Sequence, residues 1–145
     1  MYNAIQVAHY IIDFCYSINR PVSNLELQKI MYFLQVLFWR EYGQELIRED
    51  FCAWRYGPVI PAIYNMYSGY GGNLIKNRYG NNDIDFNHTT FFNKYIKVLE
   101  SKGPWTLVDL THAVGTPWYK VYANGSGDGY VISKALIKTD ATQIS

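Results

Sequence analysis

The residue types best suited to catalysis in this chain are its two cysteines and three histidines: Cys15, Cys52, His9, His88 and His112. A hydrolase needs a nucleophile, a base and an orienting group within reach of one another. No nucleophile motif surrounds either cysteine, and neither belongs to a closely spaced pair of the kind that binds zinc. The sequence therefore predicts a protein that is not an enzyme, with no catalytic residue, no metal site and no cofactor.

The glycine-rich loop that begins at Asn124 has a superficial likeness to two kinds of ligand-binding loop. A calcium loop starting there would need a bidentate glutamate at its twelfth position, which is Ala135. A phosphate-binding loop would need the G-x-x-x-x-G-K-[ST] pattern, which is missing here. We therefore expect this segment to be a turn.

Charge and hydropathy argue against nucleic acid and membrane partners. The net charge is +1, and the linear sequence shows no basic stripe of the kind that nucleic-acid-binding proteins carry. No apolar run approaches the roughly eighteen residues that a transmembrane helix needs, and the first residues do not resemble a secretory signal. Two isolated cysteines suit a reducing compartment, so we expect a cytoplasmic protein with free thiols.

A functional site in this chain would be organised around residues 51–64. Aromatic residues at near-alternating positions predict a short, half-buried strand within residues 50–56. Gly57 and Pro58 are expected to stop this strand, because proline has no N–H for a ladder. A helix is expected from about residue 59 to about residue 70, with Pro61 in its first turn. The segment thus predicts a rigid corner that carries Trp54 and Tyr56.

Two long amphipathic patterns predict helices over residues 3–18 and 23–42, packed antiparallel against this corner. A capping-box pattern opens the second helix at Ser23, and Gly43 is expected to end it. Shorter helical patterns continue to about residue 138, and residues 140–145 are expected to fray. The chain is therefore predicted to be mainly α, a single-domain bundle of six to seven helices over residues 1–139, with a small β element near residues 50–56.

Two polar features are open to more than one interpretation. Gln28, Lys29 and Tyr32 form an i, i+1, i+4 set on the second long helix, which is either a solvated rim beside the core or a binding surface. His112 ends a short helix ahead of Trp118. It either joins this helix to the corner through a hydrogen bond to the backbone or contacts a partner.

Three separated motifs resemble those of the Panacea domain, which is found in SocA-like antitoxins and phage-associated proteins. Residues 54–64 are similar to the pattern W-x-Y-G-P-V-x-P-x-x-Y, and residues 27–33 are similar to the family's L-Q-K-L-L-Y-F helix. Leu107 to His112, followed by Trp118, is similar to L-x-x-L-(S/T)-H … W. The resemblance covers roughly residues 4–138, with Arg55 and residues 74–87 departing from it.

The resemblance implies an antitoxin that neutralises a cognate toxin protein by direct binding. The alternative is a proteolytic adaptor or a phage-encoded regulator that binds host machinery. A cellular protease or chaperone is a further candidate partner, and the oligomeric state is not predicted. The candidate partner-binding residues are Gln28, Lys29, Tyr32, Tyr56 and His112. The residues expected to support them structurally are Trp54, Gly57, Pro58, Pro61, Tyr64 and Trp118.

Overall fold

The computed structural model describes residues 1–80 and 83–145, and its architecture is mainly α, as predicted. Seven α-helices lie within these residues: α1 Ala4–Ser17, α2 Asn24–Tyr42, α3 Pro61–Met66, α4 Thr89–Lys102, α5 Pro104–His112, α6 Pro117–Tyr122 and α7 Lys134–Lys138. None of the helices in the described part combines the length and the hydrophobicity that crossing a membrane requires.

Helix α2 is the centre of the core, and both long helices lie where the sequence predicts them. The Ser23 side chain accepts a hydrogen bond from the Glu26 N–H at 3.3 Å, and Gly43 ends the helix in the left-handed region at φ +64°. Contacts with α1, α4, α5, α7 and the β-sheet surround α2. Because the helix is enclosed on nearly all sides, polar residues as well as apolar ones lose their contact with water.

The small β element is a three-stranded antiparallel sheet, larger than the single strand predicted. Its strands are β1 Phe51–Trp54, β2 Gly57–Val59 and β3 Val131–Ile132, in the order β2-β1-β3. The first strand already ends at Trp54, and Gly57 and Pro58 form the start of β2. The chain reverses over residues 55–56, so Trp54 pairs with Gly57. Proline is tolerated in β2 because this strand lies at the edge of the sheet. The predicted corner is therefore a β1–β2 hairpin.

The helix after this hairpin is shorter than the sequence suggests. It begins at Pro61, the position where the missing proline N–H costs no helical hydrogen bond, and it ends at Met66. A separate 3₁₀ turn then spans Ser68–Tyr70.

The start of the C-terminal tail is anchored, which corrects the expectation that residues 140–145 fray. Asp140 is buried, and its carboxylate accepts a hydrogen bond from the Tyr32 hydroxyl at 2.7 Å. The Arg40 guanidinium donates to the carbonyl oxygens of Asp140 and Thr142 at 2.9 and 2.8 Å. These contacts place the tail against α2. The tail is a short polar segment, and its sequence alone does not predict them.

Candidate functional site

The β1–β2 hairpin is fixed to α2 by buried polar side chains. The Lys29 ammonium donates a hydrogen bond to the Pro58 carbonyl at 2.9 Å, and the Gln28 side-chain oxygen accepts one from the Ile60 N–H at 3.0 Å. Asn24 extends this network, because its side-chain amide donates to the Tyr64 carbonyl at 3.0 Å. The Pro58 carbonyl in β2, the Ile60 N–H just before α3 and the Tyr64 carbonyl within α3 are thereby paired with buried side chains of α2.

Gly57 is required where the hairpin meets α2. Its φ of +114° lies in a region that L-residues avoid. A Cβ atom at this position would lie 2.6 Å from Lys29 Cε and 2.7 Å from Thr111 Oγ1. The hairpin, α2 and α5 therefore interlock around a residue without a side chain.

Trp118 joins the other side of the hairpin to α6. Its indole N–H donates to the Trp54 carbonyl at 2.7 Å, and its ring stacks on His112 with centroids 3.7 Å apart. The expected link from α5 to the hairpin therefore runs through Trp118, whereas His112 Nε2 is buried with no hydrogen-bond partner among the described residues. Burial lowers the pKa of His112, the nearby Lys29 charge lowers it further, and Asp109 opposes both.

The structure corrects the assignment of three candidate contact residues. Gln28 and Lys29 are 0% exposed and Tyr32 is 1% exposed, so none of them reaches the surface. They support the hairpin and the C-terminal tail from within the core, and neither the solvated rim nor the binding surface describes them. Burial lowers the pKa of Lys29 to about 7, since no carboxylate among the described residues forms a salt bridge with it.

The exposed part of the site is an aromatic cleft beside the hairpin turn. It has a volume of about 460 Å³ and is lined by Asn24, Leu25, Trp54, Arg55, Tyr56, Val59, Tyr64, Gly71, Gly72 and Trp105. We call this set the turn cleft. Tyr56 is 46% exposed and packs edge-to-face against Trp105, which is 57% exposed. A second edge-to-face pair, Trp54 with Tyr64, has its centroids 4.9 Å apart.

Trp105 is a site residue that the sequence reasoning missed. It is the second residue of α5, and the buried residues of this helix are Leu107, Val108 and Thr111. At 100° per residue, Trp105 lies about 115° from the centre of those three positions, at the edge of the buried face. The helical phase therefore places this tryptophan at the boundary of the core, next to Pro104, and does not require it to be buried.

Neither cysteine of the chain lines the turn cleft. Burial raises the pKa of the Cys15 thiol to about 12 and raises that of Cys52, so both sulfurs stay protonated near neutral pH. Within the described residues, no group of three or more histidine, cysteine, aspartate or glutamate side chains could hold a metal ion. What the site offers is exposed aromatic surface on a rigid base.

Comparison with known families identifies the fold unit that carries this site. The family model described as "Antitoxin SocA-like, Panacea domain" matches residues 27–119, more than half of the chain. The chain belongs to the SocA-like, Panacea-domain antitoxin family. Antitoxin SocA of Caulobacter vibrioides (strain NA1000 / CB15N) is 32% identical to it over 137 residues, which cover 86% of this chain and 72% of the relative. No solved structure matches the chain.

The match places the site inside the Panacea domain. Residues 27–119 contain most of α2, the β1–β2 hairpin, α5 and the Trp118 side chain that joins the hairpin to α6. They also contain all lining residues of the turn cleft except Asn24 and Leu25. Membership of the family supports an antitoxin role for the chain.

Proposed function

We propose that this Panacea-domain protein is a cytoplasmic antitoxin that neutralises a cognate toxin by direct protein–protein binding, without catalysis. Its membership of an antitoxin family supports the first part of this proposal. The observation that carries the second part is the exposed Tyr56–Trp105 pair beside the cleft, in which Trp105 lies on α5 and Tyr56 lies on a hairpin that buried side chains lock to the core.

The composition of the turn cleft is that of a protein interface. Tyrosine, tryptophan and arginine are enriched at the cores of such interfaces and dominate their binding energies. All three types occur here, as Tyr56, Trp105 and Arg55. The hairpin is also pre-ordered by its contacts with α2 and α6, so binding would lose little conformational entropy on this side.

Co-expression in bacteria tests the proposal. The toxin candidate is the product of the reading frame next to this gene, induced with and without this chain, and growth is scored. We expect the chain to restore growth, and we expect Tyr56→Ala and Trp105→Ala to lose the rescue while remaining folded. Phe86→Ala is the matched control, because Phe86 is 86% exposed and does not line the turn cleft.

Failure of the wild-type chain to restore growth, or to bind the toxin when both are purified, would contradict the proposal. The half-life of the bound partner then distinguishes sequestration from the adaptor role. A partner that becomes unstable only when this chain is present would indicate delivery to a protease. A partner that stays stable but inactive would indicate neutralisation by binding alone.

A further inference from the structure

We infer that the turn cleft accepts an extended segment of the toxin in which an apolar side chain lies beside a carboxylate. This inference rests on the proposed function and adds the chemistry of the segment that is bound. It follows from three features of the cleft: its aromatic walls, its single charge and its two glycines.

The aromatic walls account for the apolar side chain. Both edge-to-face pairs line the cleft, and Leu25 and Val59 add aliphatic surface. A volume of about 460 Å³ lies within the range of sites that enclose a small ligand or a few side chains. Burying one large apolar side chain here removes its surface and that of Trp105 from water.

The single charge accounts for the carboxylate. Arg55 is the one charged residue among the lining residues, and it is exposed. Its guanidinium lies 5.4 Å from the centroid of the Tyr56 ring, and the salt bridges found among the described residues do not include it. A guanidinium held over an aromatic ring keeps its N–H edge available, and a carboxylate is the protein group that pairs with that edge in two parallel hydrogen bonds.

The two glycines account for the extended conformation. Gly71 and Gly72 line the cleft, and a Cβ atom at either position would meet no atom within 4 Å. The positive φ of Gly71, +58°, favours glycine there for backbone reasons, whereas neither packing nor a positive φ explains Gly72. Without side chains at these two positions, another backbone has room to pass close to this rim, as is common beside ligands.

Charge reversal at Arg55 tests the inference. The full chain and the toxin candidate, the product of the neighbouring reading frame, are titrated against each other by calorimetry. We expect Arg55→Glu to weaken binding at least about tenfold and Arg55→Lys to weaken it less, because a lysine keeps the charge but loses the two-point geometry. Arg48→Glu is the control, since Arg48 is exposed outside the cleft and its replacement changes the net charge equally.

Peptides tiled along the toxin candidate then locate the segment. We expect the peptides that bind to contain an aspartate or glutamate close to a large apolar residue. Replacing that acid by lysine in the full-length toxin should restore binding to the Arg55→Glu chain.

Each failure has a separate meaning. A wild-type chain that does not bind the toxin candidate overturns the proposed function and this inference together. If wild type, Arg55→Glu and Arg48→Glu bind the toxin candidate equally strongly, this inference is overturned and the proposed function stands. Displacement of the toxin by about 1 mM nucleoside triphosphate would show a nucleotide site, since aromatic rings and arginine also suit nucleobases and phosphates, and would overturn it too.

Discussion

The Lys29 ammonium lies 2.9 Å from the Pro58 carbonyl oxygen, at a position with no solvent exposure. No salt bridge among the described residues compensates its charge. Burying an ammonium group without a carboxylate costs free energy, and the cost appears as a pKa lowered to about 7. The hairpin that carries the turn cleft is therefore held in place by a group that titrates near neutral pH.

This titration makes stability depend on pH. The pKa of Lys29 is about 7 in the folded chain against an ordinary 10.5. Between those values the unfolded chain binds the extra proton, so the free energy of unfolding rises with pH. We expect Lys29 to contribute a rise of about 1–2 kcal/mol between about pH 7 and about pH 8.5, measured by urea unfolding. Ordinary thiols begin to ionise at the upper end of this window, and burial raises the pKa of Glu26 to about 7, so this carboxyl group still loses its proton at the lower end. The contribution of Lys29 is therefore measured as the difference between wild type and a Lys29 variant.

Lys29→Met isolates this contribution because methionine is long and uncharged. We expect the variant to lose the rise that wild type shows across the window. Lys97→Met, which changes the net charge equally at an exposed position, should keep it. The same slope in wild type and Lys29→Met would contradict a neutralised buried lysine.

Gly57→Ala should destabilise the chain by roughly 2–4 kcal/mol, because it combines a strained φ with an overpacked contact. The new methyl group would meet Lys29 and Thr111 at less than 3 Å. Gly69→Ala is the control, since its Cβ would meet nothing within 4 Å. Chemical unfolding measures the stability of both variants. Equal stabilities would show that the Lys29 and Thr111 side chains can move away from position 57 at little cost in free energy.

Tyr32→Phe should lower stability by about 1–3 kcal/mol with little effect on partner binding, because a buried acceptor on Asp140 loses its donor. Tyr56→Ala should do the reverse, weakening binding while the melting temperature changes little. Calorimetry of binding and thermal unfolding of each variant separate the two roles. Weakened binding with unchanged stability in Tyr32→Phe would mean that the C-terminal tail takes part in recognition.

Trp118→Phe should cost about 1–3 kcal/mol, since the Trp54 carbonyl loses the indole donor at 2.7 Å and the stack on His112 shrinks. Trp105→Phe makes the same chemical change at an exposed position, and we expect its stability to stay within about 0.5 kcal/mol of wild type. If the two variants unfold alike, Trp118 does not brace the hairpin as its geometry indicates.

The sequence predicts the helices well because their information is local. Periodicity and caps locate α1 and α2 to within two residues, and Gly43 ends α2 as expected. The β1–β2 hairpin is less accessible, because a proline that breaks an interior strand is tolerated at a sheet edge. Which edge β2 occupies is set by β3, about seventy residues further on, because β3 pairs with the opposite side of β1.

The site residues were harder to predict because burial on α2 is a tertiary property. Lysine and glutamine on a helix usually face water, and nothing in the local pattern shows that the hairpin covers Gln28 and Lys29. The two exposed aromatic residues of the site differ in how far the sequence indicates them. Tyr56 is a candidate contact residue and is exposed, whereas the position of Trp105 at the edge of the buried face of α5 leaves its exposure undecided.

Hydroxyl-radical footprinting of the purified complex shows whether the toxin covers the turn cleft, because it reports on the aromatic side chains themselves. In the free chain, Tyr56, Trp105 and Phe86 are all exposed and should be oxidised. If the turn cleft binds the toxin, oxidation of Tyr56 and Trp105 should fall several-fold in the complex while Phe86 keeps its free rate. Unchanged oxidation of Tyr56 and Trp105 in a fully formed complex would show that the toxin binds elsewhere.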